Sequence, residues 1–101
     1  VWAQDDDIAI GVIQAVRQAR RQDELFVVGG GGMKDIVKRV MDGDELTPVD
    51  VLYPPSMIST AMELTALKLI SNTPIEGEYI LGSPLITQDN AEDYYFPDSP
   101  F

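Results

Sequence analysis

Residues 25–32 read LFVVGGGG, and the four consecutive glycines that close this stretch restrict the chain more than any other feature. An apolar run precedes them and a helical pattern follows from Met33, so the segment reads as strand, tight turn and helix. Glycine in regular structure costs roughly 0.5–1 kcal/mol relative to alanine, and a turn alone seldom requires four. The run therefore predicts that something approaches this backbone closely. In open α/β sheets ligands sit outside the carboxyl ends of the strands, where this turn falls.

The rest of the chain alternates in the same way. Val1, Trp2 and Ala3 read as a short strand that begins without a polar lead-in, as if cut into its middle. Asp5, Asp6 and Asp7 then precede a helix whose apolar face is Ala9, Val12, Ile13, Val16 and Ala19, with Arg17, Arg20 and Arg21 at its end. Acids at the first turn and bases at the last both complement the helix dipole. Beyond the glycines, Ile36, Val37, Val40 and Met41 form a second stripe, and Gly43 predicts a helix end near Asp42.

Pro48 leads into a third strand, residues 49–53, which Pro54 and Pro55 must stop. Ser56 is the expected N-cap of a third helix, closed by Asn72 and Pro74, whose apolar residues run round enough of its circumference to predict burial on more than one face. Two strand-like pieces, residues 79–81 and 85–87, follow. Residues 88–101 are acidic, aromatic and proline-containing without periodicity, which reads as a loop or a strap over a surface. The predicted class is α/β, a mostly parallel sheet flanked by helices in the order βαβαβαβ.

Composition narrows the function. Seven Lys and Arg against 17 Asp and Glu give a net charge of −10, which excludes nucleic acid and anionic membrane surfaces as partners. Without cysteine or histidine there is no disulfide framework, no thiol nucleophile and no imidazole base, and no cofactor or metal site is expected. No apolar run approaches the roughly 20 residues that span a bilayer, and no segment has the pattern of a secretion signal. The glycines do not match a dinucleotide fingerprint, which needs glycine where Lys34 stands, nor a phosphate loop. A receiver domain would want an aspartate where Tyr53 closes the third strand, and a serine hydrolase would want a histidine.

In order, VWAQDDDIAIGVIQAVRQA, FVVGGGG, MDGD, VLYPPSMISTAMELTALKLI and PLITQDNAEDYYFPDSPF resemble the C-terminal part of type I periplasmic sugar-binding proteins, the solute receptors of ABC importers. These receptors are related to the effector domains of LacI-type repressors. The resemblance covers almost the whole chain. It implies a periplasmic-binding-protein-like fold, here partial: residues 1–53 in the second lobe, residues 54–87 crossing to the first lobe and returning as a hinge strand, and residues 88–101 as a tail.

The resemblance also implies non-enzymatic binding of a small carbohydrate or polyol, a membrane permease as partner and a periplasmic or extracellular location. Its sugar contacts fall on Asp5, whose carboxylate would accept from vicinal hydroxyls, on the glycine turn at Gly30 and Gly31, and on Tyr53, which would stack on an apolar sugar face and donate its hydroxyl. Gly31 stands where the family has Asp or Asn, so the side-chain acceptor is absent, leaving backbone N–H groups or water to act. The alternative is the effector-binding part of a LacI-type repressor. Taken alone, the chain is expected to self-associate and to bind sugar poorly.

Overall fold

A computed structural model describes residues 1–100. The chain runs through helix α1 (Asp6–Gln18), helix α2 (Lys34–Met41), strand β1 (Val49–Val51), helix α3 (Met57–Ile70), strand β2 (Leu85–Thr87) and a 3₁₀ turn at Ala91–Tyr94. Asp5 caps α1: it is extended at φ −154°, and its carboxylate accepts from the Asp7 amide. Gly43 follows α2 at φ +74°, the left-handed geometry that ends a helix.

Two apolar clusters hold these elements together, and α2 contributes to both. Its Ile36 joins Ala3, Ala9, Ile13, Val27 and Leu46, while Val37 and Val40 join Ile86 and Ala91 with Tyr94 and Tyr95 against them. The tail is thus a strap over α2, fastened further by a bond from Lys34 Nζ to the Ser99 carbonyl at 2.7 Å.

The class is α/β, but the predicted parallel ladder is not formed as regular strands. Among the described residues the one sheet is two-stranded and pairs β1 with β2 antiparallel, with Asp50 opposite Ile86. Parallel pairing is confined to single bridges, Trp2 with Val28, Val28 with Val49 and Gly31 with Leu52. Val28 bridges Trp2 on one side and Val49 on the other, and the glycines that follow, which weaken a strand, leave one further bridge at Gly31. Residues 79–81 form no strand: Gly77, Gly82 and Pro84 bracket them, and Ile80 is 85% exposed.

Helix α3 departs furthest from expectation. It forms where the sequence places it, yet none of its residues is buried. Ser56 itself is helical at φ −61° and makes no side-chain cap bond; the first turn closes instead through the Pro54, Pro55 and Ser56 carbonyls. The helix projects, so the radius of gyration is 17.0 Å where a compact domain of this length has about 13 Å. Among the described residues no helix is long and apolar enough to cross a membrane.

An apolar helix standing in water favours association. The apparent mass from light scattering is expected to rise with protein concentration toward that of a dimer, and Leu69→Asp with Ile70→Asp is expected to hold it at the monomer value. Scattering that stays monomeric for the parent chain would show that exposure of α3 does not drive pairing.

Candidate functional site

The turn after residue 28 is held from within the chain. Asp6, the first residue of α1, is 2% exposed, and its carboxylate accepts three backbone N–H groups: Gly30 at 2.8 Å on Oδ1, Gly32 at 3.0 Å and Met33 at 2.7 Å on Oδ2. Asp50, at the centre of β1 and fully buried, accepts the Gly32 amide as well, at 3.1 Å. One helix start therefore binds the lead-in to the next helix, and one strand braces it.

This explains the glycines differently from the expectation. A Cβ on Gly29 would overlap the Asp6 carboxylate and lie 2.9 Å from Asp50 Oδ1; one on Gly30 would lie 2.7 Å from the Tyr53 ring. Gly31 sits at φ +137°, which side-chain-bearing residues rarely adopt, so a residue there would strain the fold as well as any site. The groups that approach this backbone closely are the chain's own.

Asp5, Gly30, Gly31 and Tyr53, the four positions singled out from the sequence, line one cleft of about 220 Å³ with Asp6, Asp7, Met33 and Pro55. Asp5 spends one oxygen on the Asp7 amide at 2.9 Å, leaving the other able to accept. Tyr53 differs from its expected role, because its hydroxyl already donates to the Gln4 carbonyl at 2.6 Å. What it retains for a solute is its ring face. No cluster among the described residues has the make-up of a metal site.

The electrostatics are those of crowded acids. Burial, and then the charge on Asp6, push the Asp50 carboxyl up to about 7. Asp6 is raised too, by burial against the opposing pull of its three N–H donors. The Tyr53 hydroxyl is raised by partial burial and by the negative charge of Asp5, Asp6 and Asp50.

Sequence reasoning treated Asp6 as an ordinary helix-start acid and passed over Asp50. Two signals could have found them: an aspartate inside the apolar run VDVL, and four glycine amides in need of acceptors.

Removing the Asp6 carboxylate leaves the Gly30 and Met33 amides without acceptors, each such loss being worth about 1–3 kcal/mol. Asp6→Ala is expected to destabilise the chain by about 2–4 kcal/mol in urea unfolding. A change under about 0.5 kcal/mol would mean that the turn holds its shape without this bond set.

No protein-family model matches the chain, and no curated protein matches it. Solved structures do. A galactofuranose binding protein superposes with a TM-score of 0.76 at 28% identity, over 94% of this chain and 32% of that one. An ABC transporter solute binding protein from Mycobacterium smegmatis with bound glycerol gives 0.81 at 26% identity, over 97% and 33%. A third, from Agrobacterium vitis with bound allitol, shares the fold at 0.75 and 24% identity, over 91% and 31%. The chain spans about a third of the length of these structures. Over nearly all of its own length, then, the chain is similar to a fragment of the sugar-binding solute receptors of ABC transporters, type I periplasmic sugar-binding proteins.

Proposed function

We propose that the chain supplies one wall of the binding cleft of an ABC-importer solute receptor, and that the solute is a small neutral carbohydrate or polyol. The observation that carries this reading is the meeting of Asp5, Gly30, Gly31 and Tyr53 at one cleft in a chain similar to a galactofuranose binding protein and to a solute binding protein with bound glycerol. The lining offers a free carboxylate oxygen for hydroxyl groups and an aromatic face for C–H edges, which is what a sugar ring requires. It contains no Lys or Arg, so an anionic solute would meet only like charge. The role is binding and release, with no catalytic step.

In this reading residues 1–53 belong to the second lobe, residues 54–87 cross to the first lobe and return as a hinge strand, and residues 88–101 are the tail. The projection of α3 away from both apolar clusters, and the return of β2 beside β1, support that division. The partner is a membrane permease and the location periplasmic or extracellular. Since one similar structure is named a galactofuranose binding protein and another an ABC transporter solute binding protein, the receptor reading is preferred to that of a repressor effector domain.

Asp5 is the test. In the receptor that carries this chain, Asp5→Ala is expected to weaken galactofuranose or glycerol binding tenfold or more, because a charge-assisted hydrogen bond is worth about 1.5–3 kcal/mol and each 1.4 kcal/mol is about a decade. Asp5→Asn keeps the helix cap and is expected to hold the melting temperature while still losing affinity. Calorimetric affinities unchanged in both variants would confine Asp5 to capping.

A further inference from the structure

Asp6 and Asp50 reach one point of the fold from opposite sides, the first from the start of α1 and the second from the centre of β1. A Cβ placed on Gly29 would meet Oδ1 of both, so these two oxygens converge over the same backbone atom. Asp6 Oδ1 is engaged by the Gly30 amide, whereas Asp50 Oδ1 is buried with no hydrogen-bond partner. Two carboxylate oxygens are both acceptors and cannot bond to each other. A proton between them turns the orphaned oxygen into a donor and removes a like-charge contact.

Among the described residues no ion pair brings positive charge to either carboxylate. Tyr53, at the end of the strand region, feels the charge of Asp6 and Asp50 together with that of Asp5, and Asp5 and Asp7 line the same cleft as Asp6, all acidic groups. Lys34, at the start of α2, is turned to the Ser99 carbonyl. Among the described residues, the ion pairs join Arg17 and Arg39 to Asp44, Arg21 to Glu24 and Lys38 to Asp42, and none includes Asp6 or Asp50.

We propose that Asp6 and Asp50 share one proton, and that this proton latches the Gly30, Gly32 and Met33 backbone to α1 and β1, so that the turn loosens when the proton is lost. Because Gly30 and Gly31 also line the cleft, the latch fixes the cleft's backbone wall under mildly acidic conditions. The elevation of the Asp50 carboxyl to about 7 agrees in sign. A carboxyl raised in the folded state binds its proton there and not in the unfolded chain. The stability it contributes is therefore full at about pH 4, declines as pH rises to about 7, and is gone above that.

The test needs no ligand and so stands or falls separately from the receptor reading. Melting temperatures of the parent chain and of Asp50→Asn, whose amide supplies the donor at every pH, are compared from about pH 5 to about pH 8.5. The variant is expected to match the parent near the acid end and to exceed it by several degrees at the alkaline end. Parallel curves overturn the proposal. Should the variant fail to fold, carboxyl-carbon NMR of the parent decides: a midpoint for Asp50 near 7 is expected, and one in the ordinary range near 4 overturns the shared proton.

Discussion

The fold turns on a single buried carboxylate receiving three amide hydrogens. Asp6 is the point at which α1, the glycine turn and α2 are joined, since Gly30, Gly32 and Met33 all donate to it. Each acceptor it provides spares a buried N–H from going unmet, a loss of about 1–3 kcal/mol in a domain whose whole stability is about 5–15 kcal/mol. The glycine run follows from this arrangement. A Cβ at position 29 would take the space of the Asp6 carboxylate, and one at position 30 that of the Tyr53 ring. Sequence, turn and cleft are one constraint seen at three scales.

The helices were legible because their signal is local. A period of three and four and acids in the first turn, with arginines closing α1 and Gly43 closing α2, define both helices within about a residue or two of where they lie. The sheet was less so. Alternation of strands and helices predicts parallel pairing, but whether a ladder extends beyond one bridge depends on how far each segment stays flat, and the glycines and prolines beside these segments bend them early. α3 was legible as a helix and not as a packed one. Its apolar circumference says that it is built to be covered, and periodicity carries no information about whether the cover lies in the same chain.

The site divides in the same way. Asp5, Gly30, Gly31 and Tyr53 were named by likeness to a family and are brought to one cleft. Asp6 and Asp50 were missed because an aspartate at a helix start already has a sufficient local explanation, and one in a strand has none until its partner is known. The Tyr53 hydroxyl is the converse case. It was assigned outward to a solute, whereas its bond to the Gln4 carbonyl ties the strand end to the segment that caps α1.

Asp50 remains the residue whose presence hydrogen bonding explains least. The Gly32 amide it accepts already donates to Asp6 at 3.0 Å, so that bond is a shared one, and the Oδ1 of Asp50 is left unmet. An apolar residue of similar size would avoid that desolvation, and replacing buried charge by well-packed apolar groups is often neutral or stabilising. A shared proton changes the balance, because it converts the unmet acceptor into a donor and removes one of two adjacent charges in the same step. The strand aspartate then ceases to be a defect in the core, and the turn acquires a hold that depends on the proton as well as on the fold.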